Sequence, residues 1–260
     1  RPRLLGYSRH SKFTQADPSM STTGKTVLIL GGIGGIGGAL AERLHAKGNT
    51  VFVTSRNPDP TKTTLTADRL LTADAMDHAS IKSSVQTAGQ QGLNGLVYAI
   101  GSIDLKPLAR TTTDDLLKSF QLNVLGAFTA IQEAAPLLAQ QGGSIVLFSS
   151  IAAQRGFSNH AAIGTAKAAL EGLAKSAAAE LAPKVRVNVI APSLTDTPLA
   201  KGMTQNPKIA ETIAGMHPLP RLGDATETAA LADFLLSDES GWITGQVLHV
   251  DGGRSTLERK

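Results

Sequence analysis

Cysteine is absent from all 260 residues. That absence removes disulfide scaffolds, cysteine-based zinc sites, thiol nucleophiles and iron–sulfur clusters together. Tyrosine is nearly absent: Tyr7 and Tyr98 are the two in the chain, beside one Trp and seven Phe. No uncharged apolar run reaches the roughly 18 residues of a membrane span. The longest candidate, Val27 to Ala41, is rich in glycine and flanked by Lys25 and Glu42, so no membrane partner is expected. Excess charge is also missing from the body of the chain. Of the net +4, most sits in residues 1–20, where Arg1, Arg3, Arg9 and Lys12 face Asp17; the remainder carries about +1. So small a surplus makes no nucleic-acid-binding face.

What is present supports a packed core, because 42% of residues are hydrophobic and 18% charged. Val27–Leu30, Thr50–Thr54, Gly95–Ile100, Ser144–Phe148, Val185–Ile190 and Gln246–Val250 read as short buried strands. Ala39–Lys47, Asp114–Leu138, Thr165–Leu181 and Glu227–Leu236 read as the helices between them. Strands separated by helices imply βαβ crossovers, so the expected fold is a single-domain, Rossmann-like α/β structure with a doubly wound parallel sheet. Residues 24–253 form that domain, 1–23 a flexible N-terminal tail and 254–260 a C-terminal tail. The tail lacks the apolar core of a secretory signal. Its Arg/Ser-rich, acid-poor content resembles an organellar leader, whereas Met20 looks like a natural start. The expected location is cytoplasmic, or organellar if that leader is genuine. Ala166, Ala168, Ala169, Ala174, Ala177, Ala178 and Ala179 give the long helix small sides, suited to close packing on the sheet or on a second subunit.

Leu30-Gly31-Gly32-Ile33-Gly34-Gly35-Ile36-Gly37 joins the first strand to the first helix. Glycines at 31, 35 and 37 let backbone N–H groups approach a pyrophosphate at the helix N-terminus. The second strand ends in Thr54-Ser55-Arg56-Asn57, with no carboxylate for a ribose 2′-hydroxyl. Arg56 instead offers a planar fork for a 2′-phosphate, which favours NADP(H) over NAD(H). No metal site is expected.

In order along residues 24–253 the chain resembles the short-chain dehydrogenase/reductase family. Gly31, Gly35 and Gly37 match its glycine motif, with Leu30 replacing the usual Thr; Asp74 matches its adenine-side aspartate. Asn123, Ser150 and Lys167 match its catalytic Asn, Ser and Lys. Asn188-Val189-Ile190-Ala191-Pro192, followed by Thr197, resembles the loop that holds the nicotinamide carboxamide. Pro220–Gly223, Trp242–Gln246 and Val250–Gly253 resemble its C-terminal segment. The resemblance implies a cofactor held by Gly31, Gly35, Ile36, Gly37, Ser55, Arg56, Asp74, Ala75, Ala99, Gly101, Lys167, Pro192, Thr195 and Thr197. It further implies a small-molecule substrate and a homodimer or homotetramer.

Three departures stand out. The family's Tyr, four residues before the Lys and thirteen after the Ser, falls on position 163, which is Ile. Tyr98-Ala99-Ile100-Gly101 replaces the family's Asn-Asn-Ala-Gly, and Ser193 replaces the Gly after Pro192. Ile163 has no proton to give. His160, seven residues before Lys167, resembles the wider Tyr-to-Lys spacing of the enoyl-acyl carrier protein reductases with His for Tyr; an exposed histidine at the helix start is the plainer account. Tyr98 is expected in the core, Tyr7 lies in the tail, and His217 is expected on the surface of a substrate lid over 194–219 in which Met203, Ile209, Ile213 and Met216 mark an amphipathic helix. Two functions follow as expectations. One is an NADP(H)-dependent oxidoreductase acting on a small carbonyl, alcohol or enoyl substrate with an altered proton relay. The other is an inactive NADP(H)-binding protein serving as a sensor or oligomer partner.

Overall fold

The computed structural model describes residues 24–258. The leader expectation, Tyr7 and Met20 lie outside the described residues. The central apolar runs become strands buried on both faces, because helices cover the sheet from either side, whereas Val247–Val250 at the sheet edge is half-buried. The elements in chain order are β1 (Thr26–Leu30), α1 (Gly35–Ala46), β2 (Thr50–Ser55), β3 (Leu70–Thr72), α2 (His78–Ala88), β4 (Gly95–Tyr98), α3 (Thr113–Phe120), α4 (Gly126–Gln141), β5 (Ser144–Phe148), α5 (Ala161–Leu181), β6 (Arg186–Pro192), β7 (Thr195–Asp196), α6 (Lys201–Thr204), α7 (Pro207–Ala214), β8 (Gly223–Asp224), α8 (Ala225–Leu236) and β9 (Val247–Val250).

Seven strands pair in parallel in the order β3-β2-β1-β4-β5-β6-β9, as the Rossmann-like reading requires. The order reverses between β1 and β4, which opens a crevice at the carboxyl ends of these strands. One core lies beneath α2, α4 and α5, around Leu28, Leu96, Leu147 and Leu170; the other lies beneath α1 and α8, around Ile29, Leu40, Val97 and Leu235. Ala166, Ala174 and Ala178 of α5 pack into the first core, whereas Ala168 and Ala179 face outward.

The sequence reading misses β3 and α2. The first is three residues long, and the second, His78-Ala79-Ser80-Ile81-Lys82-Ser83-Ser84-Val85, carries an apolar stripe of only Ile81, Val85 and Ala88. Asp77 starts α2 by accepting from the Ala79 N–H. The expected helix over 114–138 is two helices interrupted by a π-turn at Gln121–Leu125. The 29-residue helical stretch Thr113–Gln141 has the length and composition of a membrane span, yet half of its most apolar window is buried inside the protein, as in a core helix.

Tyr98 belongs to the core, as expected. Its side chain is fully buried, and its hydroxyl donates to the Leu122 carbonyl at 2.6 Å. Burial, with a smaller contribution from Asp74, pushes the phenol well above its ordinary range, so it stays protonated. Gly126 makes room for it, because a Cβ there would overlap the Tyr98 hydroxyl. Tyr98 thus ties the end of β4 to the π-turn that carries Asn123. Tyr98→Phe leaves the Leu122 carbonyl without its partner and should cost about 1–3 kcal/mol in urea denaturation. Gly126→Ala, ordinarily favourable in a helix, should destabilise the wild type more than it destabilises Tyr98→Phe. Equal effects of Gly126→Ala in the two backgrounds would show that the hydroxyl does not occupy that notch.

Candidate active site

Among the described residues, one cleft of about 890 Å³ gathers nearly every residue singled out from sequence. Gly31, Gly35, Ile36, Gly37, Ser55, Arg56, Asp74, Ala75, Ala99, Gly101, Ser150, His160, Lys167, Pro192, Thr195 and Thr197 all line it. Asn123 does not: it is fully buried behind the wall.

The glycine loop is built for backbone exposure. Gly31 has φ +85°, and a Cβ on Gly37 would strike the Gly31 carbonyl, so only glycine lets α1 settle onto the loop. The Thr54 hydroxyl accepts from the Gly31 N–H at 3.2 Å, and the Thr54 carbonyl accepts from the Gly32 N–H at 3.2 Å, anchoring the loop to β2. Thr54 was not singled out from sequence; nothing in a β-branched residue within a strand signals that its hydroxyl turns toward a neighbouring loop. Helices α2, α3 and α8 have side-chain caps, but the N-cap of α1 is Gly34, with no side chain to occupy its first N–H groups. Those donors and the helix dipole make an anion cradle at the loop. The cleft narrows here, since a Cβ on Gly35 would lie 3.3 Å from Thr197 Cβ.

Arg56 is exposed at the end of β2, beside Ser55. Asp74 follows β3, where its carboxylate accepts from the Met76 N–H at 2.9 Å and its own N–H donates to Ser80 Oγ at 3.0 Å. These bonds fix a turn that holds Ala75 buried beside the cleft.

Ser150 caps the turn after β5, with Oγ accepting from the Ala152 N–H at 3.2 Å. Its neighbour Ser149 faces inward, donating to Glu171 Oε1 at 2.7 Å. On α5, Ile163 and Lys167 are one turn apart and share a face, and both line the cleft. Lys167 is 6% exposed, and Nζ donates to the Phe148 carbonyl at 2.7 Å. Burial pulls its ammonium down to about 8. A Cβ on Gly101 would sit 3.3 Å from Lys167 Nζ and 3.5 Å from Asn123 Oδ1, so both polar groups border the same glycine. Asn123 Nδ2 donates to the Ser119 carbonyl at 2.9 Å, while Oδ1 has no partner among the described residues. The arrangement holds an orphan acceptor beside a buried cation.

His160 is partly buried at the start of α5, with Nδ1 2.7 Å from the Ser158 carbonyl and its ring 5.4 Å from that of Phe157. Because that carbonyl can only accept, Nδ1 carries the proton, and a second proton would sit on Nε2. His217 corrects the expectation of a surface residue: it is 1% exposed. Its Nε2 lies 2.8 Å from Ser193 Oγ and its Nδ1 2.9 Å from the Ile213 carbonyl. The lid contributes Leu199, Met203 and Ile213 to the cleft, whereas Ile209 and Met216 are about half exposed. Arg254, which sequence alone places at the start of the C-terminal tail, also lines the cleft.

The state of Lys167 can be read through stability. Its folded value near 8 lies below the 10.5 of an unfolded lysine, so the native state loses its proton first as pH rises. The unfolded chain binds more protons between these values, and stability should climb across that window by up to roughly 3 kcal/mol. Urea unfolding between pH of about 7.5 and 9.5 should show this climb in the wild type and a flatter profile in Lys167→Met. Identical slopes would contradict a depressed lysine.

The same architecture recurs in known proteins. A family model described as enoyl-(acyl carrier protein) reductase matches residues 31–255. A 3-oxoacyl-[acyl-carrier-protein] reductase of Rattus norvegicus is 36% identical over 238 residues, spanning 88% of this chain and 97% of the relative. The ligand-free aldohexose dehydrogenase of Thermoplasma acidophilum superposes with a TM-score of 0.85 at 29% identity, over 92% of this chain and 97% of the other. The protein ElxO with NADP bound superposes with a TM-score of 0.83 at 29% identity, over 90% of this chain and 100% of the other. With the ordered motifs, the parallel seven-stranded sheet and these matches in agreement, the chain belongs to the short-chain dehydrogenase/reductase family of NAD(P)-dependent oxidoreductases.

Proposed function

We propose that the protein is an NADP(H)-dependent oxidoreductase that transfers hydride between NADP(H) and a small carbonyl, alcohol or enoyl substrate through an altered proton relay. The observation that carries this reading is the single cleft in which the glycine loop, Arg56, Ser150 and Lys167 meet. The uncapped N-terminus of α1 and the side-chain-free cradle at Gly31 and Gly37 fit a dinucleotide diphosphate. Arg56 and Ser55 would hold the 2′-phosphate, Asp74 and Ala75 the adenine, and Ala99 and Gly101 would border the nicotinamide half. Pro192, Thr195 and Thr197 receive the carboxamide, and Lys167 the nicotinamide ribose. The bound cofactor supplies or accepts the hydride.

The chain's own residues manage the rest. Ser150 hydrogen-bonds the substrate oxygen and aligns the carbonyl. Ile163 closes the wall where the family carries Tyr, excluding water and offering no proton. His160, protonated on Nε2, gives a proton to the substrate oxygen in the reduction direction and takes one back in oxidation. Assembly as a homodimer or homotetramer belongs to the same proposal, supported by the exposed Leu117, Phe120 and Phe128 of α3 and α4. The second reading, nucleotide binding without turnover, is favoured by Ile163 alone.

NADPH should raise the melting temperature more than NADH does, and Arg56→Ala should erase the difference; no shift with either cofactor contradicts the cofactor assignment. NADPH oxidation against ketones, aldehydes, quinones and enoyl thioesters then separates the two readings. Where turnover is found, His160→Ala should lower it by about 10²–10⁴-fold, and unchanged turnover dismisses His160. Ile163→Tyr should create or raise carbonyl reductase activity; a folded, NADPH-binding, inert variant would place the divergence in the substrate pocket as well.

A further inference from the structure

The cleft carries a cation, Arg254, outside the set of residues assigned to the cofactor. Arg254 lines the same cavity as Ser150, His160 and Lys167, on the wall that also holds Ser193, Leu194 and Ile213. A chain of hydrogen bonds fixes it. The Ile213 carbonyl takes the His217 Nδ1 proton at 2.9 Å, which leaves Nε2 as an acceptor. Ser193 Oγ, 2.8 Å away, therefore donates to Nε2 and keeps a lone pair for the Arg254 guanidinium at 3.4 Å. The guanidinium lies over the Phe157 ring, 4.9 Å from its centroid, and its other edge meets the Met216 sulfur at 3.2 Å.

No carboxylate forms a salt bridge with Arg254 among the described residues. The charge of Asp251 favours the Arg254 cation, but its oxygens are taken by the Gly253 N–H, the Ser255 N–H and the Ser255 hydroxyl. Asp104 also lines the cleft, from an exposed loop. Arg155 adds a second positive charge: it donates to the Arg254 carbonyl, and its guanidinium stands 6.0 Å from the same Phe157 ring. Burial and this like charge both oppose the Arg254 cation, and Asp251 offsets them only in part. An oriented, partly desolvated guanidinium with a like-charged neighbour and neutral partners is stabilised by an anion, and its planar fork matches a carboxylate or phosphate in two-point contact.

We propose that Arg254, held by Ser193 and His217 and reinforced by Arg155, binds an anionic group, carboxylate or phosphate, on the substrate. Ser193 and His217 are positioning residues; Arg254 makes the contact. The proposal deepens the reading of the cleft as a substrate site and rests on it. It makes the preferred substrate a carbonyl or alcohol that carries a negative charge.

Calorimetry on the full chain, with and without saturating NADP+, tests it without requiring turnover. The probes are two matched pairs, levulinate with its methyl ester, and dihydroxyacetone phosphate with dihydroxyacetone. At least one anion should bind about tenfold or more tightly than its neutral partner, the size expected for one charge-assisted contact. Which pair shows the preference separates carboxylate from phosphate. Arg254→Met should abolish the preference and leave the neutral probe unchanged, Arg254→Lys should restore part of it, and Ser193→Ala should weaken it less than Arg254→Met does. Equal affinity for charged and neutral partners, including no measurable binding of either, overturns the proposal, as does a preference that survives Arg254→Met. Absence of NADP+ binding would instead refute the cofactor reading, and the titrations without cofactor would still decide the anion site.

Discussion

A buried ammonium at Lys167 sets the terms for the rest of the site. Taking a charge out of water is costly, and this one is met by the Phe148 carbonyl at the end of β5, with the orphan oxygen of Asn123 across Gly101. Three elements must hold register for that to work. Helix α5 brings the lysine, the end of β5 brings the carbonyl, and the π-turn between α3 and α4 brings Asn123. Tyr98 secures the turn from below, through its bond to Leu122. Tyr98, which does not line the cleft, thus positions Asn123 beside Lys167.

The sheet supplies the rest of the geometry. Its strand order reverses between β1 and β4, so the glycine loop after β1 and the Ala99–Gly101 segment after β4 face a common crevice. The segments after β5 and β6 complete it with Ser150 and Pro192–Thr197. One side of the crevice offers backbone donors without a side-chain cap, suited to a diphosphate. The other offers hydroxyl, imidazole and guanidinium groups. Ile163 and Lys167 share one face of α5, so the departure at position 163 falls within a turn of the lysine, while the glycine loop after β1 keeps its form.

The parallel sheet was legible because its strands are continuous apolar runs separated by helical spacing, and because glycines at 31, 35 and 37 follow the first of them. The cofactor-side residues were legible through ordered motifs. Short or weakly patterned elements were not: β3 offers three residues, and α2 a stripe too thin to stand out among its serines and lysine. The π-turn is hidden because Gln121, Leu122 and Leu125 are good helix formers and nothing in Gln121–Leu125 marks a change of backbone hydrogen-bond pattern. Sequence places His217 on the surface because it falls in the expected lid; its burial comes with a contact to Ser193, 24 residues away. Arg254 looked like part of a tail because nothing local indicates that the chain after Gly253 folds back over Phe157. Contacts between distant segments, unlike periodicity, leave no local trace.

The property proposed for this site is hydride transfer without a tyrosine at position 163. The most direct measurement uses NADPH deuterated on one face of the nicotinamide C4, incubated with the wild-type protein and charged and neutral carbonyl and enoyl compounds, with products read by mass spectrometry. Deuterium should appear on the reduced carbon of at least one product from one face of the cofactor only, and should be lost in Lys167→Met. Tight NADPH binding with no deuterium transferred to any compound would contradict it and leave a nucleotide-binding protein.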